Sequence, residues 1–416
     1  MRKLTVFNRW LVPLRSVLPE ITTEEWARLS RLEELLYEQT RGSEQLTGPE
    51  RAAWLLDIRR RLAEEGYSRQ VSPQAPVELS RVRLLQTLAQ FVCGFFDLDL
   101  RDATGLGHGA LLANLTDNQL RRLWLSRVSG GELIGVAATE RRGGSRIQEI
   151  STAAQEAGTQ WLISGEKTWV SRLNEAVGWV VFFRGPTGDI SAAVVDATAP
   201  GLHRQPLPPA GLGGWSWGVL TFDNVPINPV TDLVGRYGDG LGVFRQHFTR
   251  FRPLVTATAL GTAAAAHTLV TQTLATRVSR GEIPRVRDNA LVTLGQTYAE
   301  VHAALLATLA TVRLGATGAP QADMWARVNK AYGVDVANKA VSDLATLIGA
   351  AGFTTGSRIA KARADLTGLL YADGIHDSLY RSGGKTLLAE QDHWIPPRPE
   401  VPQERASFGL AGTTTK

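Results

Sequence analysis

The residues best able to do chemistry gather near the end of the chain, in "LLYADGIHDSLYRSGG" (369–384). Asp373, His376 and Asp377 fall there within five residues. A carboxylate behind the apolar Leu369, Leu370 and Tyr371 would be desolvated. That raises its pKa and suits a general base working near neutral pH. Asp373 could instead cap a helix beginning near Ile375, and the two roles are compatible. Other chemistries lack their signatures. The seven histidines show no zinc-ligand spacing with carboxylates or cysteines, so no metal is expected. No nucleophile elbow and no phosphate-binding loop occurs. "GRYGDGLG" (235–242) lacks a βαβ context and reads as a loop leading into a helix.

The elements that must position these residues fall into three regions and a tail. Residues 1–128 read as helical. "TTEEWARLSRLEELLYEQT" opens with Thr22 or Thr23 as N-cap and carries an apolar stripe through Trp26, Leu29, Leu32 and Leu35. "GPERAAWLLDIRRRLAEEG" repeats that grammar and stops at Gly66. Residues 129–237 change texture, with short strand-forming runs between Gly, Pro and Asp. In "GVLTFDNV", Leu220 and Phe222 should face the core and Thr221 and Asp223 solvent, while "RGPTGD" (184–189) suits a hairpin turn. This unit is expected to be an antiparallel β domain. Residues 238–392 return to long, alanine-rich helices that can approach closely. Residues 393–416 are proline-rich and expected to be an extended tail. Helices, a β unit and a helical bundle in that order make an α+β chain.

Bulk properties narrow the function. Lys+Arg 45 against Asp+Glu 40 gives +5, spread along 416 residues, which argues against nucleic-acid binding. Arg59–Arg61, Arg141–Arg142 and Arg250–Arg252 would serve small phosphorylated ligands or nothing. The single cysteine, Cys93 in "LAQFVCGFF", excludes an intrachain disulfide and reads as a buried small hydrophobe. The basic N-terminus is broken by Asn8, Arg9 and Pro13, unlike a signal peptide, and no uncharged apolar run reaches bilayer length. A cytoplasmic protein with no membrane association is expected.

The segment "GVAATERRGGSRIQEISTAAQEAGTQWLISGEKTWVSR" (135–172) resembles the central β domain of the acyl-CoA dehydrogenase family. That family typically shows Thr-Glu-Pro and a small-residue loop with Gly-Ser-Asp. A Gly-x-Lys-x-Trp-Ile-Thr/Ser strand follows some thirty residues on. The counterparts are Thr139-Glu140, Gly144-Ser145, and Gly165 through Ser171. The series continues through "VLTFDNVPI", "DLVGRYGDGLGVF", "ALG" (259–261), "GAAGF" (349–353) and "ADGIHDSLYR". It thus runs in order from about 130 to 385. The family's fold is an N-terminal helical domain, a central antiparallel β domain and a C-terminal helical bundle.

The resemblance implies FAD. Thr139 and Ser171 would hydrogen-bond the isoalloxazine ring, Trp169 would wall one face, and Ala138 and Val170 would supply backbone contacts. Arg277 matches an arginine that reaches the pyrophosphate from a neighbouring subunit, so a homodimer or homotetramer is implied. Arg280 replaces the aromatic residue that follows it. Thr346 and Ala350 stand for a glutamine and the second glycine of the Gln-x-x-Gly-Gly pattern around Gly349, and Ile375 for a threonine. Asp377 falls where an acidic or amide residue often approaches the flavin. Arg141 and Arg146 replace the proline and aspartate. Ser145, Arg252 and Gly374 are placed against substrate.

The family's base is a Glu-Gly dipeptide, matched here by Asp373-Gly374. One branch carries Ala-Asp-Gly, as here. The family's alternative base would precede Arg252, where Phe251 stands. The reading that follows is an FAD-dependent dehydrogenase or oxidase of an acyl thioester on coenzyme A or an acyl carrier protein. Asp373 would take the α proton and flavin N5 the β hydride, with an electron-acceptor protein or oxygen as oxidant. Two rivals remain: a flavin-dependent monooxygenase on the same fold, possible in secondary metabolism, and a flavin-free scaffold.

Overall fold

The computed structural model describes residues 6–69, 75–142, 146–354 and 356–389. The tail and Ser145 lie outside them. Helix α1 (Thr23–Gln39) begins at Thr22 in a capping box, Thr22 Oγ1 accepting from Glu25 N at 3.2 Å and Glu25 Oε2 from Thr22 N at 2.9 Å. Its buried stripe is Trp26, Leu29, Leu32 and Leu36, so the core lies one residue past the expected Leu35. Helices α2 (Gly48–Glu64), α3 (Pro76–Phe96) and α4 (Asn118–Ser129) complete the region. Arg59 on α2 is fully buried. It donates to the carbonyls of Gly131 (3.0 Å), Gly105 (3.2 Å) and Glu132 (3.2 Å). This arginine therefore struts the entry to the sheet and serves no phosphorylated ligand.

The central unit corrects one expectation: its sheet is mixed. The seven strands are β1 (Leu133–Ala137), β2 (Ala153–Ala157), β3 (Gln160–Ser171), β4 (Ala176–Arg184), β5 (Ile190–Asp196), β6 (Leu202–Pro206) and β7 (Trp217–Ile227). They are ordered β1-β4-β2-β3-β7-β6, with β5 beside β4. β1 runs parallel to β4, and Ala153 of β2 pairs in parallel with Arg184. The other ladders among the described residues are antiparallel. The turn 184–189 joins β4 to β5 as expected, with Gly185 N donating to Asp189 O at 2.7 Å. Leu220 and Phe222 are buried while Thr221 and Asp223 are exposed.

The C-terminal helices are α5 (Gly240–Ser279), α6 (Asp288–Thr317), α7 (Ala322–Leu347), α8 (Arg358–Gly368) and α9 (His376–Ala389). The loop 235–239 does lead into a helix. α5 is long and apolar enough to cross a bilayer, against the reading of the bare sequence. Yet 78% of that apolar window is buried, and α5 is the core helix of the fold. α3 crosses it so closely that a Cβ on Gly261 would meet Phe91 O at 2.1 Å, and one on Gly94 Thr258 O at 2.0 Å. The N-terminal helices and the C-terminal bundle thereby share one apolar core, which contains Cys93. Burial raises the Cys93 thiol pKa to about 12, as befits an inert packing residue.

Candidate active site

The strand side of the site is organised by a buried ion pair. Lys167, fully buried on β3, donates to Glu140 Oε1 at 2.9 Å and to Ala138 O at 3.2 Å. Thr168 N donates to Thr139 O at 2.9 Å, so the segment leaving β1 is fastened onto β3. Glu140 also accepts from Ser151 N and Oγ (both 2.7 Å) and from Thr152 N (2.9 Å) and Oγ1 (2.7 Å). Burial alone would raise its pKa, but the Thr152 amide, Lys167 and Ser151 hold it down to about 2. Burial in turn pulls the Lys167 ammonium down to about 8.

This clamp brings together the strand residues read from the sequence. The β3–β7 register breaks between Lys167 and Val170. In that break Trp169 adopts φ +62° and stands 60% exposed, an unusual place for an indole in a strand. Thr139 and Ser171 are half-buried and Val170 is buried. Ser171 Oγ accepts from Arg172 Nη1, leaving its own proton for a ligand. A protruding indole flanked by two hydroxyls fits one face and edge of a flat ring such as isoalloxazine.

The helix side carries Asp373 on an elbow between α8 and α9. Asp373 has φ +57° and Gly374 +115°, both in the left-handed half of backbone space. The surroundings differ from the expected apolar pocket. Leu369 is buried, but Tyr371 is 70% exposed and Asp373 itself is half-buried. Instead, the charges that feel this carboxylate are cations: Arg101, Arg252 and Lys330. Among the described residues the carboxylate accepts no hydrogen bond and caps no helix. α9 begins at His376, whose N–H donates to Leu370 O at 2.9 Å. Ile375 and Asp377 are exposed. Arg252 Nε donates to Asp373 O at 3.3 Å, and burial lowers its pKa to about 10. Phe251, before it, is packed against His108 at 4.3 Å between ring centres, so no acid stands there.

Further groups between the two sides carried no spacing signal. Arg172 holds Asp102 through Nε at 2.7 Å and through Nη2. His108 Nδ1 and His247 Nε2 lie 2.9 Å apart. Burial drives both rings far toward the neutral form, His247 to about 3. Arg101 is buried with Nη1 unpartnered among the described residues, and its guanidinium carbon stands 5.9 Å from the Trp217 ring centre. Carboxylates of Asp97, Asp99 and Asp365 converge elsewhere, but Lys361 contacts all three and Arg51 contacts Asp97 and Asp99.

The remaining sequence candidates sit at the other end of the bundle. Arg277 lies roughly 38 Å along α5 from Arg252 at about 1.5 Å per residue. It faces Glu282 at 3.5 Å, as does the 70% exposed Arg280 at 3.9 Å. Thr346, Gly349 and Ala350 are exposed at the end of α7, which runs alongside α5. Lys330, which touches the Asp373 elbow, lies likewise about 24 Å along α7 from Thr346 at about 1.5 Å per residue, so one copy of the chain does not bring these residues to Asp373.

Residues 135–225 match the family described as acyl-CoA dehydrogenase, middle domain, and residues 238–387 the acyl-CoA dehydrogenase C-terminal domain, together more than half of the chain. This chain belongs to the acyl-CoA dehydrogenase family. It is 25% identical over 256 residues to a probable acyl-CoA dehydrogenase, FadE25, of Mycobacterium bovis. That match covers 60% of this chain and 65% of the relative, just under two thirds of its length. A glutaryl-CoA dehydrogenase of Desulfococcus multivorans is 28% identical over 142 residues, 32% of this chain and 36% of that one. Among solved structures, a Mycobacterium smegmatis glutaryl-CoA dehydrogenase in complex with FADH2 superimposes with a TM-score of 0.74 at 17% identity, covering 90% of this chain and 97% of its own. A prolyl acyl carrier protein oxidase, AnaB, gives 0.73 at 18% identity over 88% and 99%. These likenesses agree with the α+β architecture described above. The Ala-Asp-Gly variant is a feature of this sequence.

Proposed function

We propose that this chain oxidises an acyl thioester, with Asp373 as the base that removes the α proton. Its family makes it an FAD-dependent oxidoreductase. The observation that carries the reading is the Asp373 carboxylate itself. It is half-buried, accepts no hydrogen bond among the described residues, and stands on a left-handed elbow beside Gly374, itself in the left-handed half of backbone space. When bound, FAD supplies the acceptor for the β hydride. Thr139, Trp169 and Ser171 would hold the ring, with Ala138 and Val170 supplying backbone contacts. Asp373 takes the α proton on a carboxylate oxygen, while Arg252 and Gly374 border the thioester. Ser145, in the loop outside the described residues, is assigned to substrate by motif alone.

The carrier is coenzyme A or an acyl carrier protein. Structural neighbours include a glutaryl-CoA complex and a carrier-protein oxidase. Electrons leave to an acceptor protein or oxygen. Because Arg277, Arg280, Thr346, Gly349 and Ala350 lie at the far end of the bundle, they serve the pyrophosphate and adenosine of a partner's FAD, and the enzyme is a dimer or tetramer. The test is the spectrum of the full chain loaded with FAD, then anaerobic addition of butyryl-, glutaryl- and carrier-bound prolyl thioesters. Bleaching by a thioester alone supports the reading. Turnover that needs an external reductant and oxygen makes it a monooxygenase instead, and no flavin binding at large excess overturns both.

A further inference from the structure

Lys330, in the first half of α7, is fully buried and makes no ion pair among the described residues. Its ammonium spends all three hydrogens on backbone: Leu369 O at 2.6 Å, Ala372 O at 2.7 Å and Gly374 O at 2.9 Å. An ammonium taken out of water with no carboxylate in contact is costly, and burial pulls its pKa down to about 8 although the Asp373 carboxylate acts the other way. A methionine of the same length would fill that space without the cost. What a methionine could not do is gather three carbonyls from successive sides of one turn.

That turn is the elbow. Leu369 closes α8, Ala372 and Gly374 flank Asp373, and Arg252 takes the carbonyl of Asp373 itself from α5. Two buried cations on neighbouring helices thus hold four carbonyls of a six-residue stretch whose two left-handed residues have no helix or strand to fix them. A cation at the end of α8 also suits that helix's dipole, and a bare cap would need no more than the Leu369 contact. The contacts to Ala372 and Gly374 bracket the carboxylate-bearing residue.

We propose that Lys330 is a positioning residue that sets the direction of the Asp373 carboxylate. The proposal rests on the reading of Asp373 as base. A displacement of about 1 Å at a reacting group costs on the order of 10²-fold in rate.

The experiment is a double-mutant cycle in the FAD-loaded full chain. It follows the anaerobic bleaching rate at saturating thioester, with thioester affinity measured separately. Lys330→Met is expected to slow bleaching about 10²-fold with the affinity changed by less than about threefold. In an Asp373→Asn background the same substitution should change the rate less than about twofold, because the group it directs is gone. A role confined to general packing would slow both backgrounds alike, and that result overturns the proposal, as does a wild-type rate in Lys330→Met. Should Lys330→Met not fold, Lys330→Gln keeps two donors and is expected to lose about 10-fold. A wild-type rate there also overturns it. Failure of the base reading shows separately, as Asp373→Asn alone bleaching at the wild-type rate.

Discussion

The two sides of the site are built on buried lysines used in opposite ways. On the strand side Lys167 meets a carboxylate, and Glu140 accepts five hydrogen bonds that join β1, β3 and the 151–152 segment. On the helix side Lys330 hydrogen-bonds only to backbone carbonyls and feels the Asp373 carboxylate without contact, and among the described residues that carboxylate is left without a hydrogen bond. The first arrangement neutralises charge and fastens a surface on which a ring can lie. The second leaves a carboxylate free to take a proton while its backbone is held still. One side is built for hold, the other for aim.

The comparison can be broken by removing each lysine. Lys167→Met strands Glu140 without its counter-ion and should cost about 3–5 kcal/mol, read from the denaturant midpoint at constant slope. Lys330→Met frees carbonyls and leaves no carboxylate that it had hydrogen-bonded, so it should cost less, about 1–3 kcal/mol. Equal losses would erase the distinction between the two sides.

Acid sharpens it further. Glu140 has a folded pKa of about 2, below the roughly 4.3 of an unfolded glutamate. A depressed carboxylate contributes stability that is complete above the unfolded value and is lost as pH falls toward the folded one. Stability measured from pH 5 down to 2 should therefore fall less steeply in Glu140→Gln than in the unaltered chain. Parallel curves would show that Glu140 is not held as described. The smallest effect on stability is expected at Trp169, which is 60% exposed. Trp169→Ala should move the melting free energy by no more than about 0.5 kcal/mol while weakening FAD binding. A large stability loss with unchanged FAD affinity would make the indole a packing residue.

The strand side was legible because its parts lie in two short pieces of chain. Thr139 and Glu140 sit together, as do Lys167, Trp169 and Ser171, and the fold needs only to lay one piece on the other. The elbow was legible through Asp373-Gly374. Its support was not, because a lysine in the alanine-rich "RVNKAYG" looks like any solvated helix residue until α8 is folded against it. The expected apolar pocket failed for a related reason: Arg101 arrives from the turn after α3, far away in sequence. The His108–His247 contact likewise spans two regions. Strand direction was hidden too, since β1 is five residues long and only the crossover to β4 makes it parallel.

The central claim is that Asp373 is the base, and one substitution meets it directly. The measurement is the stopped-flow rate of anaerobic flavin bleaching in Asp373→Asn, with FAD bound and a thioester that bleaches the unaltered chain at saturation. General-base catalysis contributes about 10²–10⁴-fold, so the rate should fall by that order with FAD and thioester affinity retained. Bleaching at the unaltered rate would contradict the account and move the search for the base to Asp377.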